Sequence, residues 1–230
     1  MYMPFRKKYT KKTKRRRAPR RRRRYSKLSQ AVIPTSNIKR FRYVQDVSVD
    51  AATGASSSYC WTANGLYQPD ITQNSTMAHQ PYGFDQYVPT LYNHYVVLGS
   101  KLTATFTLGQ PGTSVENNVV CGIMLNDSET THNNMTLIRE QGRARWTMVS
   151  PTGNPRSVSK KYSAKRFHGV ANVTDNEHLG GTYLSNPNEQ AYYHVFACSA
   201  APNVNPRNVL ISVVIDYICL LKEPNTFGQS

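Results

Sequence analysis

No aspartate or glutamate occurs before Asp46 in this chain of 230 residues. All 13 acids lie from that point onward, whereas 18 of the 29 lysines and arginines precede it. The formal charge of +16 therefore divides into an arm at +18 and a body at −2, the body holding 11 bases against 13 acids. Long apolar runs are lacking too. The longest, "VLISVVIDYICLL" (Val209 to Leu221), has 13 residues and contains Asp216, short of the roughly 20 that a membrane-spanning helix needs. No membrane insertion is expected. The basic N-terminus is followed by no apolar stretch, so no secretory leader is expected. The sequons at Asn74, Asn126, Asn134 and Asn172 are accordingly expected to stay unmodified.

Signatures of catalysis and metal binding are also missing. Cys60, Cys121, Cys198 and Cys219 form no CxxC pair, which leaves a zinc site unsupported. Three of the four sit in apolar stretches, where a reduced thiol acts as a small hydrophobe. His79, His94, His132, His168, His178 and His194 show neither HxxxH nor HExxH spacing. Asp175, Asn176 and Glu177 before His178 look like a ligand cluster but read better as a solvated loop. No GxSxG, Walker or GxGxxG motif is present. An enzyme is not expected, nor is a cofactor or a metal.

What is present is a polycation. "KRRRAPRRRRR" fills Lys14 to Arg24 with eight arginines. Residues 1–38 bury too little apolar surface to offset the entropy of ordering, and like charges repel, so a disordered arm is expected. Its candidate nucleic-acid contacts are Arg6, Lys7, Lys8, Lys11, Lys12, Lys14, Arg15, Arg16, Arg17, Arg20, Arg21, Arg22, Arg23, Arg24 and Lys27. Lys39, Arg40 and Arg42 continue the series into the body. The stretch from Lys14 to Arg24 has the charge density of a nuclear import signal. Pro19 within it disfavours a continuous helix and suits a strand that follows phosphates. Tyr2, Phe5, Tyr9 and Tyr25 either stack on bases or stand exposed in the arm.

The body, 39–230, reads as β-structure. In "FRYVQDVSVD", Phe41, Tyr43, Gln45, Val47 and Val49 face one way and Arg42, Asp46, Ser48 and Asp50 the other, with Val44 the exception; such alternation marks a half-buried strand. In "HYVVLGSKLTATFTL", Val96, Leu98, Leu102, Ala104, Phe106 and Leu108 share one face and Lys101, Thr103, Thr105 and Thr107 the other. Val209, Ile211, Val213, Ile215, Tyr217, Cys219 and Leu221 line one face of a long central strand, expected to be covered on that side and partly covered on the other, where Ser212 and Asp216 mix with Leu210, Val214, Ile218 and Leu220. Strands are expected near 39–50, 56–64, 93–108, 117–125, 143–150, 157–167, 191–200 and 207–221. A short helix is expected at 135–141 and a short helical or irregular piece within 84–93. Eight strands, turn-rich connections and no βαβ rhythm point to an all-β fold, a single eight-stranded antiparallel jelly roll. A second basic cluster, Arg156, Lys160, Lys161, Lys165 and Arg166, follows Arg139, Arg143 and Arg145. It either contacts DNA or a sulfated glycan or consists of solvated surface charges.

An arginine-rich arm on an eight-strand β body resembles the capsid proteins of circoviruses and related single-stranded DNA viruses that encode a rolling-circle replication protein. "MAHQPYGFDQYVPTLYNHYVVLGSKLTATF" (Met77 to Phe106) is the stretch most similar to that family, with "PYGFDQ" leading through "YNHY" into a long strand. The resemblance implies a homo-oligomer of 60 copies closing a small icosahedral shell. It also implies a circular single-stranded DNA genome bound by the arm, host nuclear import receptors as partners, and residence in the virion and, during assembly, in the host nucleus. Two other readings stay open: a basic nucleic-acid-binding or nuclear shuttle protein that does not assemble, and a jelly-roll glycan-binding protein whose tail is an address. The near-neutral body disfavours the first, and the wide separation of Trp61 and Trp146 the second.

Overall fold

Among the described residues, nine strands carry the body. They are β1 (Ser36–Val49), β2 (Ser56–Thr62), β3 (Tyr92–Leu108), β4 (Val119–Asn126), β5 (Ala144–Val149), β6 (Arg156–Ser163), β7 (Gly180–Thr182), β8 (Tyr192–Ser199) and β9 (Val209–Pro224). The same residues include three short α-helices, α1 (Phe84–Tyr87), α2 (Met135–Glu140) and α3 (Ala164–Phe167), and one 3-10 turn (Glu177–Leu179). The computed structural model describes residues 33–50, 56–72, 79–109, 117–130, 134–201, 204–205 and 207–226. One sheet has the order β1-β9-β3-β6, with β7 added beside β3; the other has the order β2-β8-β4-β5. Every pairing is antiparallel. Two four-stranded sheets in this interleaved order, from a chain that crosses repeatedly between them, form a jelly roll of two Greek keys. β7 is a three-residue addition to that plan.

The alternating residues of β9 explain its central place. Val209, Ile211, Val213, Ile215, Tyr217, Cys219 and Leu221 are all buried at 1% exposure or less, each contributing on the order of 1.5–3 kcal/mol for a full-sized apolar side chain. On β1, Phe41, Tyr43 and Val49 are buried while Val44 is exposed. Polar groups between the layers are joined across them. Tyr217 Oη donates to the Thr62 carbonyl at 2.9 Å. Ser100 Oγ donates to the Ala63 carbonyl at 2.6 Å and lies 3.0 Å from Tyr193 Oη. These bonds fix how one sheet sits on the other, because a buried polar group left unpaired is costly.

Three expectations need correction. β1 begins at Ser36, so residues 36–38 belong to its ladder with β9 and not to the arm. In β3 the expected single face is interrupted by a bulge between Val97 and Gly99. Tyr95 and Val97 pair with the inward Leu221 and Cys219, whereas Ser100 and Leu102 pair with the inward Tyr217 and Ile215. The inward phase thus changes from odd to even numbers at Leu98, and Val96 and Leu98 do not share the face of Leu102. The strand expected over 157–167 ends at Ser163, and Lys165 and Arg166 lie on α3. That turn buries Ala164 and brings the Phe167 ring to 5.6 Å from that of Tyr162.

The expected helix at 135–141 is α2. Asn134 caps it by accepting from the backbone amides of Thr136 and Leu137, and Gly142, at φ 63°, supplies the left-handed residue that ends it. Its Ile138 packs on Met124 and Phe196, outside the main core.

All four cysteines are free and buried. Burial pushes the Cys60 and Cys121 thiols up to about 12, and it raises the phenols of Tyr43, Tyr59, Tyr95, Tyr162, Tyr193 and Tyr217. In the unfolded chain these groups release protons from about pH 8.5 (thiols) and about pH 10 (phenols). The folded state holds them longer, so its stability is full below about pH 8.5 and falls as pH rises beyond it. The melting temperature is expected to be level from about pH 7 to 8 and to drop steadily towards pH 11. A flat profile in calorimetry across that range would contradict the burial of these thiols and phenols.

Candidate nucleic-acid interface

Antiparallel register places side chains from four strands in rows across the outer face of the larger sheet. One row is Arg42 on β1, Asp216 on β9, Lys101 on β3 and Lys161 on β6, each directly opposite the next. Asp216 takes Arg42 through Nε at 2.8 Å and Arg40 through a terminal nitrogen at 2.8 Å. Partial burial pulls the Asp216 carboxyl up, but the hydrogen bonds from Arg42 and Arg40 outweigh it and hold the group below its usual range. Both arginines remain well exposed, at 63% and 59% of the side chain, so each pair is worth at most about 1 kcal/mol.

The next rows on this face are Val44, Val214, Thr103 and Ser159, then Asp46, Ser212, Thr105 and Ser157. Thr105 and Ser157 hydroxyls lie 2.8 Å apart. The β3–β6 half of the face is thus hydroxyl-rich, while the β1–β9 half exposes Ile38, Val44, Leu210 and Ile218.

The second basic cluster is not one surface. Because successive side chains of a strand point to opposite sides, Lys161 faces out opposite Lys101, whereas Lys160 pairs with Leu102 on the inward phase. Lys160 lines a cleft of about 660 Å³ with Arg143, Arg166, His168, Glu189 and Tyr192. There its ammonium donates to the Arg143 carbonyl, and burial together with Arg145 lowers its pKa. Arg156 stands exposed at the start of β6, and Lys165 and Arg166 are exposed on α3. Arg139 lies over the exposed Trp146 ring, 4.5 Å from its centroid. Lys39 occupies the inward phase at the sheet margin, its ammonium 4.9 Å from the Tyr87 ring centroid.

The arm cations from Arg6 to Lys27, including the import stretch Lys14 to Arg24, lie outside the described residues. So do Tyr2, Phe5, Tyr9 and Tyr25. Lys101 is the cation of this row that sequence reasoning did not select. Alternation had set it opposite the core, but only register shows that it meets Lys161. The Asp175, Asn176, Glu177, His178 sequence is a capped turn, with the Asn176 side chain accepting from the His178 amide at 3.0 Å. No group of three or more His, Cys, Asp or Glu side chains among the described residues is placed to hold a metal ion, and none of the described helices is long and apolar enough to cross a membrane.

No family model matches the chain, and no curated protein matches it. Among solved structures it is similar to the 60-mer BFDV capsid protein, at 11% identity over 86% of this chain and 100% of that one, with a TM-score of 0.47. It is also similar to the decameric BFDV capsid protein, at 7% identity over 82% and 99% of the two chains and a TM-score of 0.43. A chain of Desmodium yellow mottle tymovirus gives 13% identity over 91% and 100%, with a TM-score of 0.38. At such identities the assignment of the jelly roll stands on the strand order itself.

Proposed function

We propose that this chain is a coat subunit that assembles into a small icosahedral shell, 60 copies by the resemblance noted above, and packages circular single-stranded DNA through its N-terminal arm. The observation that carries the reading is the separation of charge from fold: a near-neutral jelly roll, with 14 bases against 13 acids from β1 onward, is joined to a segment holding 15 positive charges and no acid. Each cation that meets a phosphate releases a counterion, giving strong, salt-sensitive binding without regard to sequence. Sixty copies of 15 positives would bring about 900 charges to the genome, enough for on the order of a thousand phosphates. Reading sequence instead would need ordered side chains at base edges. The same arginine-rich stretch would serve as an address for host import receptors, delivering the subunit to the nucleus for assembly.

Purified full-length protein, mixed with circular single-stranded DNA at falling salt, is expected to give shells of uniform diameter in negative-stain micrographs and a matching rise in light scattering. A chain that stays monomeric with and without DNA across the salt range overturns the shell reading. It would leave a nucleic-acid-binding protein that does not assemble, the reading that shares the arm but not the closed oligomer.

A further inference from the structure

We infer that the row formed by Arg42, Lys101 and Lys161, with Arg40 beside it, is a second phosphate-binding element, built on the sheet itself, that holds the backbone of the packaged strand against the shell domain. The inference rests on the packaging reading above and adds to it a site outside the arm. Lys101 and Lys161 are exposed and directly opposite each other on β3 and β6. Like charges so placed destabilise a pair of strands. The acid in the row, Asp216, is already shared by Arg40 and Arg42. Four cations thus stand around one carboxylate, a net +3 that the fold itself leaves uncompensated. Asp46, the next carboxylate along these paired rows, sits two rows away opposite Ser212.

The surroundings suit a phosphate backbone. Thr103, Thr105, Ser157 and Ser159 lie in the adjoining rows, and hydroxyls of this kind bond phosphate oxygens without reading bases. With neighbouring strands about 4.8 Å apart, Arg42 and Lys161 stand about 14 Å from each other, a line of cations long enough to engage more than one phosphate. A rigid row costs less to order on binding than a free arm does, because its side chains already stand on a paired sheet. Residue identity on β6 separates this site from the cleft: Lys161 belongs to the row, while Lys160 points to the other side of the strand.

Lysine acetylation rates in the full-length protein, read by mass spectrometry with and without a 30-mer of oligothymidylate, test the site directly. Lys101 and Lys161 are expected to slow by about tenfold when the oligonucleotide binds, while Lys160 keeps its rate within about twofold. Unchanged rates at Lys101 and Lys161 under conditions where DNA is bound overturn the inference and leave packaging by the arm intact; absence of any DNA binding overturns both. Protection by a heparin-derived oligosaccharide but not by DNA would assign the row to a glycan, and protection upon assembly without DNA would assign it to a neighbouring copy; each overturns the proposal. As a second reading, Lys101→Thr/Lys161→Thr in the full chain is expected to lower the magnitude of the salt slope for single-stranded DNA by about 1.4, at about 0.7 per lost contact, without lowering the melting temperature. A raised melting temperature with an unchanged slope would make the pair only a strained feature of the sheet and overturn the site.

Discussion

Deleting residues 1–32 is expected to collapse the salt dependence of single-stranded DNA binding. The full chain offers 18 cations before Asp46, so the limiting log–log slope is about −13 if each meets a phosphate, at about −0.7 apiece. The truncated chain keeps Lys39, Arg40 and Arg42 of that set, for a slope of about −2, or about −3.5 if Lys101 and Lys161 also engage. Raising salt fourfold from 50 mM would then weaken the truncated protein by about 20-fold, whereas 6–10 phosphate contacts already lose about 10³–10⁵ over that range. The deletion should leave the body folded, because the core, from Ile33 and Phe41 through Leu221, lies within Ile33–Ser230. Circular dichroism and melting of the truncated protein check that condition, and filter binding or fluorescence anisotropy across a salt series gives the slope. Retention of the full-length slope by a folded truncated protein would remove the arm from the binding mechanism.

Such a result bears on the rival readings differently. A non-assembling nucleic-acid binder predicts the same loss of DNA affinity but no shells from either form. A coat subunit predicts that the truncated body still associates, because its edge strands and loops are intact, but with little DNA inside. Measuring nucleic acid content and particle formation on the same two proteins separates binding from assembly.

The sequence made the strands legible because period-two alternation is a direct consequence of one-sided burial. Phe41, Tyr43 and Val49 on β1 and the seven odd residues from Val209 to Leu221 on β9 show it cleanly, and both are buried as the pattern requires. Alternation fails where the backbone gains a residue. The bulge at Leu98 changes phase within an apolar stretch, and "YVVLG" reads equally well in either register. It also cannot say which strand lies beside which. That Lys101 meets Lys161, and that Arg42 shares their row, depends on pairings between residues 42, 101, 161 and 216, far apart in the chain. The same ignorance joined Lys160 and Lys161 into one cluster, though a strand necessarily sends them to opposite sides. β7 was missed because Gly180, Gly181 and Thr182 carry no apolar alternation; Gly181 is accommodated where the Tyr95 ring leaves no room for a side chain, with ring atoms 2.4–2.7 Å from a Cβ built there.

Replacing Asp70 by alanine is expected to cost about 3–5 kcal/mol, most of it from donors left stranded in the interior. Asp70 is fully buried. Its Oδ2 accepts from Gln45 Nε2 at 2.6 Å and from Tyr59 Oη at 2.9 Å, and its Oδ1 accepts from the Thr72 amide at 3.0 Å. Gln45 in turn uses its Oε1 to accept from Tyr43 Oη at 2.8 Å and from Trp61 Nε1 at 2.7 Å. One carboxylate therefore orients an amide that ties β1 to β2 and holds the following loop, whose Thr72 Oγ1 accepts from the Cys60 amide at 2.7 Å. Alanine removes both acceptor oxygens at once and leaves Gln45, Tyr59 and Thr72 donors without them. For a domain of this size a loss of about 3–5 kcal/mol corresponds to a fall of roughly 6–20 °C in melting temperature. Asp70→Asn should fall between, since one oxygen remains but the new amide donates towards groups that also donate. Tyr59→Phe should cost less in the Asp70→Ala background than in the parent, with a coupling of about 1 kcal/mol. Melting within about 2 °C of the parent for Asp70→Ala, or strict additivity with Tyr59→Phe, would show that the carboxylate does not organise this seam.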